Sequence, residues 1–114
     1  MIRLKTLLEQ EMLLPKAMAS SKGNIIITDP ETHKQYYFEL VVDKLVDISI
    51  HVIKVDLKNR EITYSHPVSG KHITADLNQL DIAKITKQYK IEVGDSIENL
   101  KTAAGDELFL KRIQ

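Results

Sequence analysis

The fold is decided by residues 48–57, ISIHVIKVDL. In this segment the apolar side chains stand at even-numbered positions from Ile48 to Val52 and at odd-numbered positions from Ile53 to Leu57. Because successive side chains of a strand point to opposite faces, the apolar face turns over between residues 52 and 53. A continuous strand accommodates this change with a β-bulge or a sharp bend. We therefore predict a long, bulged strand that serves both sides of a small barrel.

Shorter alternating segments on both sides extend this strand into an antiparallel meander. Turn-forming residues such as Pro30 and Gly70 separate these segments. The five strands predicted for the meander cover residues 25–27, 36–42, 48–57, 62–66 and 73–77. Alternation returns at residues 107–113, which predicts a terminal strand.

Two helices are predicted outside the meander. The first covers residues 2–14, because apolar side chains recur there at helical spacing and form one stripe. The stripe consists of Leu4, Leu7, Leu8 and Met12. The second helix covers residues 96–104, where Asp95 is a candidate N-cap, Glu98 is its capping-box partner and Gly105 is the stop.

The most ambiguous part of the sequence is residues 78–93. Its apolar residues Leu80, Ile82 and Ile85 match neither the helical nor the strand period well. We favour a short irregular or helical crossing followed by a strand at residues 89–93, and the choice between helix and strand stays open.

Together these elements predict a single domain of the β-rich α+β class. It would be a small barrel of bent strands, or a strongly curved antiparallel sheet, with an N-terminal helix and a second helix near the C-terminus. Residues 1–22 would form the amphipathic helix and its linker, and residues 23–114 the barrel-like part. A chain of 114 residues with 43% apolar and 28% charged residues has the composition of such a globular domain.

The composition excludes several classes of function. The chain has no cysteine, which removes disulfides, thiolate metal sites and thiol catalysis. Sixteen Lys and Arg balance sixteen Asp and Glu, and a net charge of zero argues against a general nucleic-acid coat. No apolar run is long enough to span a membrane, so we expect no membrane partner. We expect a cytoplasmic protein, or one of a virion or host cytoplasm if a phage encodes it.

Catalytic and metal-binding arrangements are not recognisable in the sequence. His66 and His72 flank a predicted hairpin turn, and a tight loop at residues 69–70 would make them diagonal neighbours, near the reach of a shared metal ion. Their spacing matches no zinc pattern, so we interpret them as solvated hairpin residues. We therefore predict no enzyme, no cofactor and no catalytic, cofactor-binding or metal-binding residue. A small enzyme that uses histidine and carboxylate chemistry is kept as an alternative.

Basic residues support a further alternative, which is the binding of RNA or single-stranded DNA. Lys84, Lys87 and Lys90 recur every three residues, and predicted hairpin tips carry further basic side chains. Together they could form a basic edge, with tyrosine rings as stacking faces. The candidate contacts to nucleic acid or to a partner are Lys58, Arg60, Tyr64, Lys71, Lys84, Lys87 and Lys90.

A leading helix at residues 4–12, followed by bent strands over residues 24–77, resembles the small barrels of the Sm-like and SH3-like group. The resemblance covers about the first two-thirds of the chain and implies a bent-strand barrel that binds RNA. Residues 1–10, MIRLKTLLEQ, also resemble the amphipathic starts of small proteins of tailed phages. That likeness implies a structural or accessory role in a virion.

The function we predict from the sequence is a non-enzymatic binding or assembly module. It would form a homo-oligomer or dock into a larger particle, because the apolar stripe of residues 4–12 must be covered by its own subunit or by a neighbour.

Overall fold

The computed structural model describes residues 15–41 and 49–114. The helix predicted over residues 2–14 and its apolar stripe therefore lie outside the described residues. The described strands and helix have the following bounds. They are β1 Lys16–Ala19, β2 Ile25–Thr28, β3 Gln35–Val41, β4 Ser49–Ile50, β5 Val52–Asp56, β6 Glu61–Ser65, β7 His72–Asp76, α1 Gln79–Gln88, β8 Ser96–Lys101 and β9 Glu107–Arg112.

The described strands form two antiparallel sheets. The larger, six-stranded sheet has the order β1-β2-β3-β9-β8, and β4 pairs with β3 beside this path. The smaller sheet has three strands in the order β5-β6-β7. The hairpins predicted on both sides of the central segment are confirmed by the pairing of β2 with β3 and of β6 with both its neighbours.

The central segment changes sheets at His51. On one side of this residue Ile50 pairs with Leu40 in the larger sheet, and on the other side Val52 pairs with Tyr64 in the smaller sheet. The register then shifts between Val52 and Lys54. The predicted bulge is thus confirmed, and one run of backbone serves both sheets.

Both sheets contribute to a single hydrophobic core. Its most deeply buried side chains are at most 1% exposed, and burying each contributes about 1.5–3 kcal/mol. They include Ile25, Phe38, Leu40, Val52, Ile62, Ile85, Ile97, Leu100, Leu108 and Leu110.

The two sheets meet at two places, which we call seams. At the first seam, beside β1 and β5, the Gly23 carbonyl accepts a hydrogen bond from the Val52 N–H at 2.8 Å. At the second seam, between β7 and β8, Leu77 and Thr102 form an isolated bridge. Neither seam continues the ladder of hydrogen bonds.

The β-rich α+β class is confirmed, but the closed barrel is not present among the described strands. The ladder is interrupted at the second seam because the chain leaves β7 into a helix instead of a hairpin. At the first seam β1 and β5 share no strand pairing. The larger sheet also extends further towards the N-terminus than expected, since residues 16–19, placed in the helix and linker by the sequence pattern, form β1.

The helix predicted over residues 96–104 is wrong, because this segment forms β8 and the turn after it. Ile97 and Leu100 are both fully buried although they stand three residues apart. A bulge between them makes this possible, and Asn99 takes a φ of +60° within it. In a bulged strand, buried apolar residues can therefore stand three residues apart, which is also the spacing of a helical stripe. Gly105, with a φ of +95°, lies in the turn after β8 and does not stop a helix.

The ambiguous segment contains the helix α1, and the strand predicted at residues 89–93 is absent. The buried face of α1 and its cap consists of Asp81, Ile85 and Tyr89, at a spacing of four residues. This spacing is helical, but the stripe begins with a carboxylate and so does not stand out as apolar. No helix in the described part of the chain has the length and apolar character needed to cross a bilayer.

Candidate binding groove beside the helix

The N-terminal end of α1 is fastened to β8 by one buried carboxylate. Asp81 is 5% exposed, and its Oδ2 accepts hydrogen bonds from the backbone N–H of Asn78 at 3.2 Å and of Lys101 at 2.9 Å. The first bond satisfies a free N–H at the start of the helix, and the second spans the gap to the strand. The Asn78 N–H also donates to the Lys101 carbonyl at 3.4 Å, so this backbone bond and Asp81 together set the distance between α1 and the edge of the larger sheet.

The C-terminal end of α1 is fastened to the turn between β2 and β3. Asp29 is 1% exposed, and its Oδ2 lies 2.9 Å from Lys90 Nζ. Its Oδ1 accepts the Glu31 N–H at 2.9 Å. The Lys90 ammonium, followed by the Glu31 N–H, holds the pKa of Asp29 well below its usual range. The same pairing raises the pKa of Lys90.

Aromatic rings pack beside this ion pair. Tyr36 and Tyr89 meet edge to face with their ring centroids 5.6 Å apart. The Arg112 guanidinium lies 4.7 Å from the Tyr36 centroid and also donates to the Ile91 carbonyl. Burial raises the pKa of Tyr89. These contacts make the C-terminal end of α1 a packed part of the molecule.

Between its two fastened ends, α1 leaves a groove against β8 and β9. The cavity has a volume of about 580 Å³. Leu80, Ala83, Lys84 and Lys87 line it from the helix. Lys101 and Glu107 are among the residues that line it from the strands. We call this cavity the α1 groove.

The α1 groove combines an exposed apolar side chain with a positive charge. Leu80 is 79% exposed, although it is a large hydrophobic residue. Three lysines line the groove against two carboxylates, and the carboxylate of Asp81 already accepts two backbone hydrogen bonds. An apolar side chain beside several cations is suited to an amphipathic partner with acidic side chains.

A smaller cavity of about 260 Å³ lies at the other end of the helix. Asp29, Glu31, Lys87 and Lys90 line it, so acidic and basic groups are balanced there. Because Asp29 and Lys90 are paired with each other, we interpret this cavity as part of the fastening of α1 and not as a second binding site.

The structure places the predicted contact residues in separate regions. Lys84 and Lys87 line the α1 groove, and Lys90 is paired with Asp29. Lys58 and Arg60 lie in the turn between β5 and β6, whereas Lys71 follows the turn at the opposite end of β6. These basic residues therefore do not form one edge. Tyr64 is 6% exposed, and burial raises the pKa of its hydroxyl.

The aromatic side chains offer little surface for stacking. The chain has four tyrosines, two phenylalanines and no tryptophan. Five of these six rings are buried, and Tyr37 is half-buried. The buried rings are Tyr36, Phe38, Tyr64, Tyr89 and Phe109. Proteins that bind single strands by stacking need exposed rings.

The two histidines of the β6–β7 hairpin do not sit as diagonal neighbours. Ser65 pairs with His72, and the His66 N–H donates to the Lys71 carbonyl, so the loop has four residues, 67–70, instead of two. The His66 Nδ1 accepts the N–H groups of residues 68 and 69 at 3.1 and 3.2 Å. His66 therefore holds its own loop together. In residues 15–41 and 49–114, no three His, Asp or Glu side chains are grouped as a metal site.

Sequence reasoning missed most of the lining of the α1 groove, including Leu80 and Lys101. The spacing of Asn78 and Asp81 was a usable signal, because a helix that starts at such a capping box carries Leu80 outside its buried stripe. Lys101 gives no comparable signal, because the sequence pattern predicts a helix over its segment.

Comparison with known proteins gives no match to a family model, a curated protein or a solved structure. The resemblances to Sm-like barrels and to phage proteins therefore stay predictions.

Proposed function

We propose that the protein is a non-enzymatic assembly module that forms a homo-oligomer, and that the α1 groove is its binding surface. The observation that carries this proposal is the exposed Leu80 in the wall of the groove. Covering a leucine of this exposure contributes about 1.5–2 kcal/mol to association.

The way α1 is held supports this function. Asp81 and the ion pair of Asp29 with Lys90 fix both ends of the helix, so the face that carries Leu80 is positioned before a partner arrives. A preformed surface lowers the entropic cost of binding. The lysines beside Leu80 add selectivity for a segment that carries carboxylates.

The nucleic-acid alternative has less support. Lys84, Lys87 and Lys101 do give the groove positive charge. However, the buried tyrosines offer no stacking platform, and the remaining predicted basic contacts lie in other regions. The charge of the groove is better matched by a protein segment, because the groove also presents an apolar side chain.

The test is the molar mass in solution, measured by size-exclusion chromatography with light scattering over a hundredfold range of concentration. We expect the unaltered chain to be an oligomer and Leu80→Asp to be a monomer. Val68→Asp is the matched control, since Val68 is 89% exposed in the β6–β7 loop; this variant should stay oligomeric. A monomeric unaltered chain, or an oligomer that Leu80→Asp leaves intact, overturns the proposal.

A further inference from the structure

We infer that the occupant of the α1 groove is the turn at residues 92–95 of a second copy. Its Val93 lies against Leu80, and its two carboxylates lie beside the lysines of the helix. This inference rests on the proposed function and names the partner surface at the same site. Each subunit is then the donor of one turn and the acceptor of another.

The turn between α1 and β8 is a preformed projection. The Glu92 carbonyl accepts the Asp95 N–H at 3.0 Å, and Gly94 has a φ of +95°, as a type II β-turn requires at its third residue. The Arg112 carbonyl accepts the Gly94 N–H at 2.8 Å, and the Arg112 N–H donates to the Asp95 carbonyl at 2.9 Å. All four residues of the turn are exposed, and a Cβ added at Gly94 would meet no atom within 4 Å. The turn therefore projects into solvent in a fixed conformation.

The side chains of the turn match what the groove can bind. Val93 is 60% exposed, and the carboxylates of Glu92 and Asp95 flank it. An apolar side chain between two acids complements an apolar side chain beside lysines. Three other large hydrophobic side chains outside the groove are exposed in the described part of the chain, but none has a carboxylate within two residues in the sequence. They are Met18, Ile53 and Val68.

The charges on both surfaces are available to a partner. Within residues 15–41 and 49–114, neither Glu92 nor Asp95 makes an ion pair or a side-chain hydrogen bond, and the same holds for Lys84 and Lys87. Their spacings also agree. The two ends of a β-turn lie less than about 7 Å apart, and helical residues three apart have Cβ atoms about 5–6 Å apart. Association therefore forms new ion pairs without breaking existing ones.

The groove of the same subunit is out of reach of this turn. The turn follows the C-terminal end of α1, whereas Leu80 lies in the first turn of the helix, which rises about 12 Å between Leu80 and Gln88. The backbone bonds to Arg112 hold the turn at one end of β9, and Glu107, which lines the groove, stands at the other end. Val93 therefore meets the Leu80 of a neighbour and not its own.

The experiment is a mixing test with two variants of the chain, Leu80→Asp and the double variant Glu92→Lys with Asp95→Lys. The double variant brings lysines to a groove lined by lysines, so we expect its dissociation constant to rise at least tenfold, measured by sedimentation velocity. Leu80→Asp keeps an intact turn, and the double variant keeps an intact groove. At concentrations where each alone is monomeric, a 1:1 mixture should form a dimer with one copy of each and nothing larger.

Two further variants control for charge and for folding. Glu61→Lys with Asp76→Lys makes the same change of net charge on facing strands of the smaller sheet and should associate as the unaltered chain does. Val93→Lys changes the exposed tip of the turn alone and should weaken association as the double variant does. Thermal unfolding midpoints close to that of the unaltered chain show that each variant is folded.

The possible results distinguish the two claims. If Leu80→Asp is a monomer but the folded turn variants associate as the unaltered chain does, the inference is overturned and the groove binds another part of its partner. If the mixture forms no dimer, or a species larger than a dimer, the inference is likewise overturned. If Leu80→Asp leaves the oligomer intact, the proposed function fails as well.

Discussion

The two seams between the sheets are closed in different ways. At the first seam the backbones touch directly, through the hydrogen bond from Val52 to Gly23, and the His51 ring lies against the glycine. At the second seam the backbones also touch, through hydrogen bonds from Ala103 to Asp76 and from Asn78 to Lys101 around the bridge of Leu77 with Thr102, and α1 follows beside β8. The inserted helix makes the difference, because it leaves a groove of about 580 Å³ against β8 and β9 beside the second seam.

The largest loss of unfolding free energy should come from truncating Ile85, the side chain by which α1 packs into the core beside the second seam. Ile85 is 1% exposed in the shared core, so Ile85→Ala should lower the free energy of unfolding by about 3 kcal/mol, through lost burial and the cavity left behind. Leu80→Ala, on the open face of the same helix, should change the free energy of unfolding of the dissociated subunit by less than about 0.5 kcal/mol. Urea denaturation measures both, and equal losses would contradict the placement of α1.

The second-largest loss of unfolding free energy should follow the removal of the Asp81 carboxylate, which joins α1 to β8 at the second seam. Asp81→Ala removes the acceptor of the Asn78 and Lys101 N–H groups and should cost about 2 kcal/mol. Asp81→Asn keeps a side-chain oxygen as acceptor and should cost less. Denaturation midpoints of the two variants test this order. If the alanine variant is as stable as the asparagine variant, the bond to β8 does not hold the seam.

At the first seam a single methyl group should be enough to disturb the contact. Gly23 has a φ of +84°, and a Cβ at this position would meet the His51 ring. Gly23→Ala should therefore cost about 1–2 kcal/mol. In the background of His51→Ala the same substitution should cost only the backbone part, about 1 kcal/mol. A double-mutant cycle without coupling would show that the ring does not press on this glycine.

The smallest effect should be the pH dependence of the fastening at the end of α1. The folded pKa of Asp29 lies below its unfolded value, so its contribution is complete above about pH 4 and is lost as the pH falls toward the folded pKa. For Lys90 the folded pKa is raised above the unfolded value, so its contribution is complete below the unfolded pKa and is lost as the pH rises through the folded pKa. Lys90→Met should be less stable than the unaltered chain at pH 7.

The difference in thermal unfolding midpoint between the unaltered chain and Lys90→Met should then narrow as the pH falls towards 3. Thermal unfolding of the unaltered chain and of Lys90→Met, in buffers between pH 7 and pH 3, measures it. Lys58→Met is the control, since Lys58 lies in the turn between β5 and β6 and is not the partner of Asp29 in the ion pair. A constant difference would mean that Asp29 does not depend on Lys90.

Much of the strand order could be predicted because its signals are local. The change of phase at residues 52 and 53 is visible without any knowledge of the partner strands, and the bulge follows from the alternation alone. In β8, by contrast, the apolar spacing of Ile97 and Leu100 arises from a bulge in the pairing with β9. Only the partner strand distinguishes this spacing from that of a helix.

The candidate site could be predicted only in part. Lys84 and Lys87 were found because their spacing is regular, and the structure places both in the α1 groove. The stripe of α1 was hidden by Asp81, a charged residue on the buried face that is satisfied by Lys101, twenty residues away in the sequence. Long-range hydrogen bonds of this kind leave no pattern in a single sequence.

The change of sheets at His51 has a consequence for how the molecule unfolds. β4 and β5 are joined through one residue, so the smaller sheet cannot separate without straining the ladder that holds β4 to β3. We therefore expect the two sheets to lose their structure in one step, as a single cooperative unit. In native-state hydrogen exchange, the amides of β3 and β6 would open with the same free energy, although they belong to different sheets.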